Sequence, residues 1–160
     1  MHFRIGYGCD YHRFDPCQKL KLGGLFIPDT PGLAGYSDAD VLTHAVIDAV
    51  LGALGLGDIG NWFPPGEPEW KDADSGDLLR TVLANPEVGG WNVGNVDTTI
   101  VCQQPKLTPH IRGIRNSLSR ILDVELQRVS VKATTTEGMG WAGRGEGMAA
   151  HAVVLMQSAD

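Results

Sequence analysis

Three cysteines in 160 residues, Cys9, Cys17 and Cys102, are too few and too scattered for a disulfide framework. Without a C-x-x-C pair they also make no thiolate zinc site, and they read as reduced, mostly structural thiols. No apolar run approaches the ~20 residues that a bilayer span requires, so a soluble chain with no membrane partner is expected. The segment Met1 to Gly8 has neither an apolar stretch followed by a small-residue cleavage site nor an Arg- and Ser-rich leader, which makes cytoplasmic the expected location. Cations are scarce. Thirteen Lys and Arg against 19 Asp and Glu leave a net charge of -6, which repels a polyanion at long range and removes the usual footprint of nucleic-acid binding. A small phosphorylated ligand would need cations placed locally. No repeat or low-complexity tract is present.

What is there is the composition of a globular chain, and at this length roughly 70% of the unfolded surface is buried on folding. One domain over residues 1–160 with one core is expected. Phe3 to Phe14 places Phe3, Ile5, Tyr7, Cys9 and Tyr11 at every second position, the mark of a half-buried strand. Lys19 to Pro28 repeats a strand-like pattern, and Asp29 to Ser37, rich in Pro and Gly, reads as a loop. Ser37 and Asp38 offer capping oxygens to a helix from about Ala39 to Leu54. On that helix Val41, Leu42, Ala45, Val46, Ala49 and Val50 form an apolar stripe, while Asp40, His44 and Asp48 recur on another face. After a loop over Gly55 to Pro68 the pattern predicts a helix at Ser75–Ala84, a strand at Asn92–Gln103, a helix at Thr108–Leu122 and a strand at Arg128–Thr135. A glycine-rich segment, Gly138 to Gly147, precedes a last strand at Met148–Met156. The expected fold class is α+β, a two-layer domain with a mixed β-sheet and helices packed on one face.

Asp10 and His12 are two apart on the first strand, so both side chains leave the same face. His44 is available as a third ligand, and two His with one carboxylate leave a coordination position open, as catalytic zinc requires. The same residues also fit a plainer account, in which Asp10 and His12 are solvated polar groups and His44 is a helix-face histidine held by Asp40 or Asp48. Thr134, Thr135, Thr136 and Glu137 end a strand that also carries Lys132, offering hydroxyls to phosphate oxygens. Glu137 would repel phosphate unless Mg²⁺ or Mn²⁺ lay between them. The alternative is a Thr-rich strand edge. Gln103 to Pro109 lies at another strand-to-helix junction, where free amides and Lys106 could meet an anionic or nucleotide group, or simply form a proline-bounded turn. Gly35 to Ser37 is a further anion site, in competition with Asp38 and Asp40.

Taken in order, GYGCDYHRF, GYSDADVLTHAVIDAVLGALGLGDIG, NVDTTIVCQQPKLTPHI and VKATTTEGMGWAGRGEG resemble the 2-C-methyl-D-erythritol 2,4-cyclodiphosphate synthase family over essentially the whole chain. The resemblance implies a homotrimer with active sites between subunits. It implies a phosphorus–oxygen lyase of non-mevalonate isoprenoid biosynthesis, which converts 4-diphosphocytidyl-2-C-methyl-D-erythritol 2-phosphate to the cyclic diphosphate and CMP. By the same resemblance one Zn²⁺ per subunit sits on Asp10, His12 and His44, and Glu137 takes a second cation, Mg²⁺ or Mn²⁺, with the substrate diphosphate. Thr135 resembles the family's transition-state threonine, with Ala133, Thr134 and Thr136 beside it. Cys102, Lys106, Leu107 and Thr108 match the cytidine pocket, and Asp58, Ile59, Gly60 and Phe63 match segments that contact substrate. Ser37 resembles the residue that binds the erythritol phosphate, and Trp141 and Arg144 lie in the glycine-rich stretch.

Two departures bear on catalysis. Tyr36 stands where the family usually has His, and a phenol cannot become a cation near neutral pH, so its support for developing charge is weaker. Pro65 replaces an aspartate of the family's F-P-D turn, which removes a carboxylate that Glu67 would have to supply. These departures motivate a competing expectation, an impaired homologue that still binds zinc and cytidine nucleotides; a third reading is a trimer whose metal serves only the fold.

Overall fold

The alternation that begins at Phe3 continues far beyond Phe14. In the computed structural model, which describes residues 1–159, strand β1 spans Phe3–Leu22, because it changes partner midway. Residues from Phe3 to Arg13 pair antiparallel with β5 (Gly147–Ser158), and Phe14 to Leu22 pair antiparallel with β2 (Leu25–Leu33) across an irregularity between Asp15 and Lys19. The predicted strand over Lys19 to Pro28 is therefore a hairpin. Its turn is made by Gly23 at φ 58° and Gly24 at φ 78°, a left-handed conformation that side chains disfavour. The segment from Asp29 expected as loop is strand as far as Leu33, where pairing with β1 ends.

Strand β3 (Trp91–Val101) pairs antiparallel with β5 and parallel with β4 (Val129–Thr134), giving the order β2-β1-β5-β3-β4. The mixed sheet carries its helices on one face, as expected. Helix α1 (Val41–Leu54) lies against β1 and β5, and α3 (Ser75–Ala84) and α4 (Ile111–Leu122) flank it. Two one-turn helices, α2 (Ile59–Trp62) and α5 (Gly140–Gly143), interrupt stretches expected as loop. No helix among the described residues is long and apolar enough to cross a membrane.

Helix α1 is the centre of the core, and it is not two-faced as its sequence suggested. Thr43 and His44 are buried along with its apolar residues, since the sheet covers one side and α3 another. Leu42, Ile47 and Leu51 are fully buried, each worth ~1.5–3 kcal/mol by transfer from water. The approach to β1 is close because Gly6 and Gly8 face the helix. A Cβ built on Gly8 would sit 2.1 Å from the Ala45 carbonyl oxygen.

The helix starts at Val41, and its cap is Asp40 rather than Ser37 or Asp38. Ala39 at φ 54° is left-handed, which stops the helix from extending backward. The Asp40 carboxylate is fully buried and accepts from the Thr43 amide at 3.0 Å, the Thr43 hydroxyl at 2.8 Å, and the amides of Gly23 at 2.9 Å and Gly24 at 2.7 Å. One side chain thus caps α1 and fastens it to the β1–β2 turn.

Candidate metal centre and substrate pocket

Glycines at positions 6 and 8 bring α1 onto the face of β1 that also carries Asp10 and His12. His44, one turn into α1, therefore meets both. Asp10 Oδ2 lies 2.9 Å from His44 Nδ1 and 2.9 Å from His12 Nε2, and the two ring nitrogens are 3.2 Å apart. The other carboxylate oxygen of Asp10 accepts the Tyr11 amide at 2.9 Å, which fixes the direction of the first. His12 Nδ1 faces the Ala34 carbonyl oxygen at 2.5 Å, and only a donor can sit there, so Nε2 donates to Asp10 when the ring is protonated and offers a cation its lone pair when the ring is neutral. His44 Nε2 meets the hydroxyls of Ser75 at 2.8 Å and Ser37 at 3.1 Å.

Asp10, His12 and His44 are the one group of three potential ligands that converges among the described residues. Their spacing suits a cation. Ligands about 2.0–2.1 Å from a tetrahedral Zn²⁺ lie roughly 3.3 Å apart, close to the separations here. The protonation chemistry agrees. Burial opposes ionisation of Asp10, but hydrogen bonds from His12 and His44 outweigh it and hold its carboxyl well below the usual range. Burial likewise disfavours protonated His12, and the Asp10 carboxylate more than reverses this. Asp10 is thus held as a carboxylate, the form that can ligate a divalent ion.

The expected helix-face carboxylates do not hold His44. Asp40 is occupied as described, and Asp48 accepts the Ile59 amide at 2.7 Å, tying the start of α2 to α1. Burial raises the Asp48 pKa, with further help from Asp58 and Asp10.

A pocket of about 230 Å³ opens over the three ligands. It is lined by Asp10, His12, Tyr36, Ser37, His44, Ile59, Gly60 and Phe63, with Pro65, Trp70 and Leu78. Asp58, the chain neighbour of Ile59, is not among the lining residues and caps α2 by accepting the Asn61 amide at 2.9 Å. The Tyr36 hydroxyl donates to the Glu67 carbonyl oxygen at 3.0 Å, while Glu67 is not among the lining residues and so does not take the place of a carboxylate at Pro65.

The remaining expected residues lie elsewhere on the same chain. Asp10 is paired with Ala150, Ala150 with Ile100 and Ile100 with Ala133, so Thr134, Thr135, Thr136 and Glu137 follow three strands away in the same row. At 4.7–4.9 Å per strand that is about 14 Å. The Thr135 hydroxyl donates to Glu137 at 3.1 Å, and Glu137 adopts φ 53°, which curls the loop back. Lys132 pairs with Asp97 on β3. Cys102 and Leu107 are both buried, while Lys106 and Thr108 are exposed on the adjoining turn. Gln103 accepts the Gly138 amide at 3.2 Å and joins that turn to the threonine loop. Trp141 packs its ring edge-on to Tyr11 at 5.7 Å, and Arg144 pairs with Glu146 at 2.6 Å. One chain therefore assembles the ligand triad with Tyr36, Ser37 and the α2 segment, and holds the threonine loop with the turn around Lys106 as a separate group.

Ser75 escaped sequence reasoning, and Asp38 was legible only as a capping residue and a competitor for an anion site. Asp74-Ser75 reads as an ordinary helix start, and nothing local shows that it meets a histidine 31 residues earlier.

A sequence profile of the YgbB family matches residues 3–157. A protein of Moorella thermoacetica named 2-C-methyl-D-erythritol 2,4-cyclodiphosphate synthase is 55% identical over 153 residues, spanning 96% of this chain and 94% of that one. A solved 2C-methyl-D-erythritol-2,4-cyclodiphosphate synthase in its CDP-bound form superposes with a TM-score of 0.87 at 37% identity, over 96% of this chain and 100% of that one. IspF of Plasmodium falciparum, solved as a CDP complex, gives a TM-score of 0.84 at 30% identity, over 99% and 97% of the two chains.

Proposed function

The chain belongs to the YgbB family, and from that membership we propose that it is an enzyme converting 4-diphosphocytidyl-2-C-methyl-D-erythritol 2-phosphate to 2-C-methyl-D-erythritol 2,4-cyclodiphosphate and CMP. The observation that carries the reading is the convergence of one carboxylate oxygen and two imidazole nitrogens within 3.2 Å, under a pocket lined by Tyr36 and Ser37. An oxygen of the 2-phosphate attacks the β-phosphorus, the bond from that phosphorus to the CMP oxygen breaks, and CMP leaves with the electron pair. The step is an intramolecular phosphoryl transfer, so the enzyme is classed as a phosphorus–oxygen lyase. No side chain acts as a nucleophile.

The task of the residues is to fold a highly charged substrate so that attacking and leaving oxygens are in line. Asp10, His12 and His44 would hold one Zn²⁺ per subunit, which would supply Lewis-acid polarisation of the β-phosphate. Glu137 would hold Mg²⁺ or Mn²⁺ beside the diphosphate, and the Thr135 hydroxyl would turn its one hydrogen from Glu137 to the phosphoryl oxygens as charge develops. Thr134, Thr136 and Ala133 line the same diphosphate path. Tyr36 would turn its one hydroxyl hydrogen from the Glu67 carbonyl oxygen to the transferring group, and Ser37 binds the erythritol phosphate. Asp58, Ile59, Gly60 and Phe63 enclose the erythritol portion. Cys102, Lys106, Leu107 and Thr108 form the cytidine pocket, and Trp141 and Arg144 border the phosphates.

A homotrimer with intersubunit sites accounts for the 14 Å gap, since a neighbouring copy would bring its threonine loop to this copy's triad. Its support is the sheet face away from the helices, where Phe3, Ile5, Tyr7, Tyr11 and Val153 are exposed together, an apolar patch that a free chain would leave wet. The chain works as a single domain over residues 1–160 and resides in the cytoplasm, with a small cytidine diphosphate compound rather than nucleic acid as its partner. The identity to named synthases favours turnover over the impaired, ligand-binding homologue.

The test is release of CMP by the zinc-loaded protein with and without a chelator. Release that the chelator stops is the expected result, with His44→Ala folded but zinc-free and inactive. A loaded protein that binds CDP and releases no CMP overturns the reading, and one that unfolds on zinc removal assigns the metal to the fold.

A further inference from the structure

Behind His44, on the side away from Asp10 and His12, lies a buried polar chain that the reaction does not use. Ser75, fully buried at the first residue of α3, places its hydroxyl 2.8 Å from His44 Nε2. The same hydroxyl donates to Asp38 Oδ1, and the Ser75 amide donates to Asp38 Oδ2 at 3.0 Å. Lys21 Nζ reaches Asp38 Oδ2 at 3.0 Å and also pairs with Asp74.

Counting protons decides the direction of the chain. A serine hydroxyl has one hydrogen, and an ionised carboxylate offers none. The hydrogen of Ser75 is committed to Asp38, so toward His44 the oxygen is an acceptor. His44 Nε2 then carries a hydrogen, and in the neutral ring Nδ1 is left as the lone pair that a cation shared with Asp10 and His12 would take, whereas the protonated ring donates from Nδ1 to Asp10.

We propose that Ser75 and Asp38 are positioning residues for the metal centre: through the Ser75 hydroxyl, the Asp38 carboxylate fixes the His44 tautomer that presents Nδ1 to the ion. The proposal rests on the reading that the triad holds a metal. It differs from a plain capping role because the partner of Ser75 is a ligand on another helix. His12 has its own partner in the Ala34 carbonyl, so each imidazole is oriented from behind by a different element. Lys21 pairs with the Asp38 carboxylate at this partly buried position, and burial, which works against the ammonium of Lys21, is outweighed by Asp74 and Asp38. Losing an outer partner of a ligating histidine typically weakens metal binding by about 10- to 100-fold.

The experiment measures the zinc dissociation constant of the full chain by competition with a chromogenic chelator. Ser75→Ala is expected to retain the wild-type far-UV spectrum and metal-free melting temperature while its zinc dissociation constant rises by about 10- to 100-fold. Ser75→Thr, which restores the hydroxyl, should recover most of the loss. Asp38→Asn keeps an acceptor for Ser75 but removes the charge, and it should weaken zinc by a smaller factor. Zinc affinity within threefold of wild type in folded Ser75→Ala overturns the proposal. Should that variant not fold, Asp38→Asn decides, with weakened zinc supporting the relay and unchanged zinc refuting it. His44→Ala separates this outcome from failure of the metal reading, because wild-type zinc affinity in that variant would show that the triad is not the site.

Discussion

Gly8→Ala tests whether the close seating of α1 on β1 is what assembles the metal ligands. The new Cβ would lie 2.1 Å from the Ala45 carbonyl oxygen, 2.7 Å from the Ala49 amide nitrogen and 2.9 Å from Asp48 Cβ. Two of these are backbone atoms of a helix and cannot rotate aside. An ordinary carbon-to-oxygen contact is roughly 3.3 Å, so the helix and strand must part by about 1 Å. The bond between Asp10 and His44, now 2.9 Å, would then stretch beyond hydrogen-bond range. Overpacking of this kind costs about 1–3 kcal/mol, and with backbone as the obstacle the upper end applies. Unfolding entropy of about 2.1 cal/mol/K per residue over 160 residues makes 3 kcal/mol equal to a fall of about 9 °C in Tm. The assay is thermal unfolding at one fixed subunit concentration, in chelator and in zinc, together with zinc affinity. Gly52→Ala is the control, since its Cβ would find the Tyr7 carbonyl oxygen at 3.7 Å, and a helix-interior alanine should gain about 0.5–1 kcal/mol. An unchanged Tm and unchanged zinc affinity in Gly8→Ala would refute the reasoning, as would an equal fall in Gly52→Ala.

Three further outcomes are expected. Tyr36→His should preserve or raise the rate of CMP release, because imidazole can carry a charge that the phenol cannot; a large loss would show that the pocket has adapted to the Tyr36–Glu67 contact. If copies join into the proposed trimer through the exposed apolar face of β1, Ile5→Glu should leave the chain folded but monomeric in sedimentation and without turnover, and an active trimer would place the subunit interface elsewhere. Burial pushes the Cys102 thiol up to about 11, so at pH 8 only about one molecule in a thousand is a thiolate there. Iodoacetamide should reach exposed Cys17 first and Cys102 last, and fast labelling of Cys102 in folded protein contradicts the burial. The sign for stability follows, because the unfolded thiol ionises first and this group's contribution is lost as pH rises from 9.0 toward about 11.

Much of the fold was legible because the local signals were strong. Alternation marked β1, helical spacing marked α1 and α4, and a two-residue separation put Asp10 and His12 on one face. The triad itself was legible only as a pattern of ligand types, since His44 reaches it through the tight contact at Gly6 and Gly8. What stayed hidden depends on tertiary placement. The continuation of β1 to Leu22 reflects a change of partner, and the cap at Asp40 reflects a left-handed Ala39 that no propensity announces. Ser75 and Asp38 each have an adequate local explanation, which conceals their common contact with the site. The distance between the triad and the threonine loop is a property of strand order, which hydrophobic periodicity does not encode.

The separation of the triad from Thr135 by three strands has a genetic consequence if each site is shared between copies. A chain damaged at His44 still carries a sound threonine loop, and a chain damaged at Thr135 still carries a sound triad. Mixed in one closed ring, two such defective chains can lend each other the missing half, so some sites become whole although neither parent alone has any. Two inactive alleles of this protein could therefore rescue one another, while two lesions within the same half could not.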